Sequence, residues 1–180
     1  MRDHKAEELL APENFCMVEP GVYRSAFPRS KNIPFLQALE LTSVISLVLE
    51  DYPTPLAEFY QRAGIKLICH GLDGNKGPFK AIDEIDFTST LQSVLDHVNR
   101  PLLIHCNKGK HRTGSVVGCL RKYRKWALSS ILDEYMVFAH PKPRLEDQRY
   151  IEEFDASVLE EDHGNGSVDS TLVDTKIASA

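Results

Sequence analysis

Long apolar runs are missing from this sequence. None approaches the ~20 residues that a membrane-spanning helix needs, and the first residues hold no apolar segment of the signal-peptide type. Neither a membrane span nor a secretory leader is therefore expected. The four cysteines, Cys16, Cys69, Cys106 and Cys119, show no paired spacing such as C-x-x-C. They point to a reducing intracellular setting, cytoplasmic with the nucleus also open. His70, His97 and His140 lack metal-ligand spacing, so no metal and no other cofactor is expected. A basic excess is lacking too. The formal net charge is −5, which argues against general nucleic-acid binding. No internal repeat is visible.

What is present is a chain of 180 residues that is 42 % apolar, enough for one domain with a real core plus tails. Residues 1–13 are polar and charged and read as a flexible lead-in, and the domain is expected over 14–154. From 155 to 180 the chain is rich in Asp, Glu, Gly and Ser and reads as a disordered acidic tail. Within the domain, Pro20-Gly21 signals a turn before a short strand at Val22–Arg24. Buried strands are predicted at Ser43–Leu49, Ile65–Cys69 and Pro101–His105. Helices are predicted over Pro34–Leu41, Leu56–Ala63 with Gly64 as C-cap, Asp83–His97, Arg112–Lys125, a segment capped by Ser129 or Ser130 and reaching Ala139, and Leu145–Phe154. Alternating strands and helices imply an α/β fold with a mostly parallel central sheet. Ligands of such sheets sit beyond the carboxyl ends of the strands.

One loop occupies that position: His105-Cys106-Asn107-Lys108-Gly109-Lys110-His111-Arg112-Thr113-Gly114. A strand, a tight loop and a helix N-terminus together make an anion cradle, because unpaired backbone N–H groups and the helix dipole point at the loop. A thiol titrates near pH 8.5, and positive fields lower that by several units, turning it into a nucleophile. Cys106 is the candidate nucleophile. Arg112 offers a planar fork for two phosphate oxygens. The amides of 107–112 supply further donors, with Gly109 permitting the curvature. Thr113 is placed to hydrogen-bond the sulfur and ease its departure, and His105 to orient the loop. The bland alternative is a core cysteine and a surface arginine, since C-x5-R alone recurs by chance. The flanking strand, helix, His, Gly and Thr favour a cysteine-dependent phosphatase.

Lys108, Lys110 and His111 exceed what one phosphate requires. They read either as a solvated basic turn or as a mouth for further phosphates, joined by Lys76, Lys80, Arg29, Lys31, Lys142 or Arg144 if these converge. A small, highly anionic substrate is the expected partner. Asp73, in a loop after the second buried strand, is a general-acid candidate or a turn residue of its Asp-Gly pair. A phosphate leaving group is weakly basic and would need little acid help. Cys69 and Cys119 are expected in the core, a protective Cys69–Cys106 disulfide being the alternative for Cys69.

The ten-residue loop resembles the signature of the plant and fungal atypical dual-specificity phosphatases. So do Asn14-Phe15-Cys16-Met17-Val18 with Gly21-Val22-Tyr23-Arg24-Ser25, then Gly74-Asn75-Lys76-Gly77-Pro78-Phe79, then Lys142-Pro143-Arg144 with Asp147-Gln148-Arg149. The similarity covers roughly residues 14–154. It implies a compact cysteine-phosphatase fold and removal of the β-phosphate from inositol pyrophosphates, chiefly at the 5-position. By position it makes Cys106 the nucleophile and Arg112 the phosphate binder. It groups His105, Asn107, Lys108, Gly109, Lys110 and His111 in the substrate loop, and it sets Asn75 and Lys76 in a loop near the substrate. A protein phosphatase of dual specificity is the alternative, and a non-catalytic phosphate-binding module a third reading.

Overall fold

The computed structural model describes residues 9–72 and 84–159. Five strands form one sheet: β1 (Cys16–Glu19), β2 (Val22–Ala26), β3 (Ser43–Ser46), β4 (Lys66–Cys69) and β5 (Leu102–Cys106). Their spatial order is β1-β2-β5-β3-β4, with β1 antiparallel and the other pairings parallel. The described helices are α1 (Ile33–Ala38), α2 (Thr54–Ala63), α3 (Glu84–Leu95), α4 (His111–Tyr123), α5 (Leu128–Ala139) and α6 (Leu145–Glu153). The α/β fold with a mostly parallel sheet is as the alternation of elements implied.

β5 sits at the centre, and all five of its residues are buried. Successive side chains of a strand face opposite sides. Leu102, Ile104 and Cys106 accordingly join the core built with α3, α4, α5 and α6, whereas Leu103 joins the one under α1 and α2. Such burial on both faces explains why this segment reads as a continuous apolar run. Helix α4 lies close to its neighbours through two glycines. A Cβ at Gly114 would stand 2.9 Å from the Tyr135 ring, and one at Gly118 would stand 2.6 Å from Ile151 Cδ1. Small residues one turn apart thus let α5 and α6 close on the helix that carries Arg112.

Several expectations change. The segment Cys16–Glu19 carries no clear strand pattern, yet it pairs with β2 across the predicted Pro20–Gly21 turn, where Gly21 takes φ +76°. The second buried strand is instead an edge: Lys66 and Cys69 of β4 are exposed, because β3 covers only one side of it. α5 is preceded by Ala127 with no side-chain cap, so neither Ser129 nor Ser130 caps it. The expected lead-in is held from Leu10 onward, through Asn32 Nδ2 donating to the Leu10 carbonyl (3.0 Å) and Ala26 N to that of Glu13 (2.7 Å). At the other end Ala156 and Leu159 are buried on a helical turn, so packing continues past residue 154.

Candidate active site

Cys106 ends β5, 4 % exposed, at the carboxyl edge of the sheet, and α4 begins five residues later. The connection bends tightly against β2. Gly109 takes φ +64°, and a Cβ there would lie 2.5 Å from the Ser25 carbonyl. Only glycine satisfies both the backbone angle and the approach.

Three consecutive loop carbonyls are turned outward by donors from one side of the molecule. Phe27 N donates to the Asn107 oxygen (3.3 Å), Asn14 Nδ2 to that of Lys108 (2.9 Å), and Arg24 Nη2 to that of Gly109 (2.9 Å). In a trans peptide the N–H opposes the C=O. The amides of Lys108, Gly109 and Lys110 therefore point away from those donors, and they have no hydrogen-bond partner among the described residues. A row of unpaired donors at a helix N-terminus is an anion site.

Arg24 was not singled out for this role by the sequence, although a charge inside an apolar strand was its signal. It is 1 % exposed, and its guanidinium lies 3.8 Å over the Phe138 ring. Its Nε is buried and unpartnered. Burial lowers its pKa to about 10, opposed by the charges of Glu134 and Cys106. It remains a cation beneath the loop.

Arg112 Nη1 donates to the carbonyls of Leu47 (2.7 Å) and Leu72 (3.3 Å), at the ends of neighbouring segments of the sheet. Its Nη2 and Nε have no partner among the described residues. The fork is thus braced on one edge and open on the other. His105 is fully buried and hydrogen-bonded through Nε2 to the Tyr52 hydroxyl. Burial pushes His105 down to about 3; a backbone contact with Cys106 opposes the shift, and the Arg112 charge adds to it. Burial likewise raises the Tyr52 phenol far above its usual range. The pair is neutral and packs on the Phe27 and Tyr60 rings at 4.9 and 5.8 Å from Tyr52. Tyr52 escaped the sequence reading because its partner is 53 residues away.

The remaining predicted residues divide. Lys108 is exposed. Lys110 Nζ donates to the His140 carbonyl, and His111 Nε2 is hydrogen-bonded to that of Lys142 (2.7 Å). Both side chains are therefore held against the turn after α5. Asn107 Nδ2 donates to Glu50 Oε1 (3.3 Å), an acidic neighbour that the sequence reading did not single out. The expected hydrogen bond from Thr113 to the Cys106 sulfur is absent: Thr113 Oγ1 is buried without a partner. Asp73, Asn75 and Lys76 lie outside the described residues, as does Lys80.

Behind α4, Tyr135 donates to the buried Asp147 carboxylate (2.6 Å) and accepts from Arg144 N (3.2 Å). Since the Tyr135 ring abuts Gly114, this pair braces the first turn of α4. Burial raises Asp147, with Tyr135, His111 and Arg144 opposing.

Cys119 is a core residue, its pKa raised by burial. Cys69 is not, and it does not pair with Cys106. It aligns with Ser46, which aligns with His105. That sets Cys69 two strands from β5, about 9.6 Å between Cα atoms at ~4.8 Å per strand, on the face opposite Cys106. A disulfide needs Cα atoms within about 7 Å. Among the described residues no cluster of His, Cys, Asp and Glu could hold a metal ion, and no helix is long and apolar enough to cross a membrane.

Comparison with known proteins agrees with this arrangement. A model described as "Tyrosine phosphatase family" matches residues 9–172. The rice (Oryza sativa subsp. japonica) inositol diphosphatase DSP1 is 52 % identical over 151 residues, 84 % of this chain and 68 % of its own length. The Saccharomyces cerevisiae inositol diphosphatase SIW14 is 47 % identical over 150 residues, 83 % of this chain, which spans only 53 % of that relative. The solved core catalytic domain of the S. cerevisiae PP-IP phosphatase SIW14, in complex with citrate, superposes with a TM-score of 0.81 at 42 % identity, covering 86 % of this chain and 93 % of that one.

Proposed function

The chain belongs to the tyrosine phosphatase family, and on that premise we propose that it hydrolyses the β-phosphate of inositol pyrophosphates, chiefly at the 5-position, through Cys106. The observation that carries this reading is a buried Cys106 at the start of a loop with three unpaired amides, leading into a half-open Arg112 fork. The relatives named inositol diphosphatases support the substrate.

In the proposed reaction the Cys106 thiolate attacks the β-phosphorus. An S–P bond forms and the bond to the bridging oxygen breaks, releasing the inositol phosphate. Water then cleaves the S–P bond, giving orthophosphate and the free thiolate. Arg112 and the amides of Lys108, Gly109 and Lys110 hold the three peripheral oxygens as charge shifts in the transition state. Neutral His105, held by Tyr52, keeps the loop's base in place. The leaving group is itself a phosphate, whose low basicity asks little of a general acid; Asp73 is the candidate for any proton still required. Thr113's unpartnered hydroxyl is the candidate donor to the departing sulfur in the second step. Asn107, Lys108, Lys110 and His111, with Asn75 and Lys76, serve the additional phosphates. Lys110 and His111 would exchange carbonyl oxygens for phosphate oxygens, which are stronger hydrogen-bond acceptors. A free thiolate also requires the reducing, cytoplasmic setting read from the cysteines.

The experiment is phosphate release from a panel of inositol pyrophosphates, inositol polyphosphates and phosphopeptides, with trapping of a phosphocysteine at Cys106. One phosphate released per diphosphoinositol is expected, and Cys106→Ser should abolish it. Undiminished activity in Cys106→Ser would sink the mechanism. Turnover of phosphotyrosine peptides in place of inositol pyrophosphates would select the second reading, a protein phosphatase, which the family description favours.

A further inference from the structure

Between the Cys106 loop and the turn that follows β2 lies a cavity of about 450 Å³. Cys106 is not on its wall, but two of its neighbours are. Ala26 on its wall is the register partner of Cys106 one strand away, and Asn107, also on the wall, is the next residue along the chain. Its volume exceeds what one phosphate group fills. It falls within the ~300–1,000 Å³ range of small-molecule sites.

Two exposed cations line it, Arg29 and Lys31, and no carboxylate pairs with either among the described residues. Several cations elsewhere are already engaged, although Lys108 and Lys142 are likewise without an ion-pair partner among the described residues. Arg100 and Arg124 share Glu19, Arg121 pairs with Glu134, and Lys110 and Lys122 are held by backbone carbonyls. The backbone of the turn bearing the two cations is tied down by hydrogen bonds. Buried Asn32 accepts from Arg29 N (2.8 Å) and donates to the Leu10 carbonyl (3.0 Å), clamping the turn to the N-terminal segment. Preorganised, unpaired positive charge in a concave wall favours a polyanion. One acidic side chain, Glu13, lies on the same wall and opposes it.

We propose that this cavity seats the phosphates of the substrate that do not react, with Arg29 and Lys31 as the residues that bind them and Asn107 at the junction with the reacting group. The inference rests on the inositol-pyrophosphate reading and names the second half of the same site. It also explains how a loop sized for one phosphate could prefer a substrate carrying many. A substrate with a single phosphate would leave the cavity empty.

The test uses the full chain, with p-nitrophenyl phosphate as a substrate that reaches only the Cys106 loop and inositol hexakisphosphate as its competitor. Arg29→Ala and Lys31→Ala should each weaken inhibition about tenfold, and the double variant more, with kcat and KM for p-nitrophenyl phosphate unchanged. Glu13→Gln should tighten inhibition, and the salt dependence of inhibition should become shallower in the two cation variants. The KM for a diphosphoinositol substrate should follow the same order while its kcat holds. Inhibition unchanged in the double variant, or p-nitrophenyl phosphate kinetics falling in parallel, would overturn the assignment. Failure of the wild-type chain to hydrolyse inositol pyrophosphates would refute the substrate reading alone. The inhibition series reads the cavity in either case.

Discussion

Arg24→Met separates what the buried cation does for stability from what it does for the loop. The substitution removes the Nη2 hydrogen bond to the Gly109 carbonyl, worth about 1.5–3 kcal/mol for a charged donor. It also removes the contact over the Phe138 ring, about 2 kcal/mol when desolvated. Against this, burial lowers Arg24 from 12.5 to about 10, so confining that charge costs on the order of 3 kcal/mol at ~1.4 kcal/mol per pH unit. Methionine fills much of the same stem volume without the charge. The opposing contributions nearly cancel, as they do when other buried charges are replaced by apolar residues. Unfolding free energy should change by less than about 2 kcal/mol, a few degrees in Tm for a chain of this size. Activity should respond differently. With the Gly109 carbonyl released, the Gly109–Lys110 peptide can rotate and withdraw the Lys110 amide from the cradle. Loss of one such donor costs about 10²–10³-fold in kcat. The assay pairs calorimetric Tm with phosphate release per folded molecule. A folded Arg24→Met chain that keeps more than a third of wild-type kcat would refute the claim that Arg24 shapes the loop. Arg24→Lys, which can still donate once to the Gly109 oxygen, should recover part of the loss.

Two further outcomes follow from buried groups near the site. Tyr135→Phe should destabilise the fold by about 2–4 kcal/mol, since it strips a partner from the buried Asp147 and another from the Arg144 amide. Asp147 is already raised by burial, so its carboxylate penalty is absent below the unfolded value near 3.9 and grows as pH rises. Denaturant midpoints should therefore show a larger Tyr135→Phe defect at pH 7 than at pH 4, and equal defects would refute it. His105 is depressed to about 3 in the folded chain and titrates near 6.5 unfolded. Its contribution is complete above pH 6.5 and is lost as pH falls toward 3, by up to ~1.4 kcal/mol per pH unit. Urea titrations of His105→Asn should show a shallower fall across that window; an unchanged slope would mean that His105 takes up its proton in the folded state.

The site was legible where its chemistry is local. Cys106, Gly109 and Arg112 lie within seven residues on a strand–loop–helix joint, so spacing alone brings them together. The residues that shape the loop were not legible, because their contacts span the chain: Arg24 reaches Gly109 across 85 positions, Tyr52 reaches His105 across 53, and Asn14 reaches Lys108 across 94. Charge was visible but not its use. Lys110 and His111 read as a solvated turn or a phosphate mouth until the turn at 140–142 was seen holding them, and Arg29 and Lys31 could join that mouth only if they converged, which the sequence could not show; the two line a cavity beside Asn107. β4 shows the same limit in the fold, since an apolar four-residue strand reads alike at the centre or at the edge.

By itself, then, the sequence determined the core of the candidate site: a thiol at the end of a buried strand, a glycine at the bend, and an arginine in the first helical turn. Periodicity and short-range geometry suffice for that, and they also implied the α/β alternation. Tertiary structure alone decided the strand order, which carbonyls are turned out so that amides face in, which cations are already paired and which stand free. Each of those depends on donors and acceptors brought within 3 Å from distant parts of the chain, and no local pattern encodes such a distance.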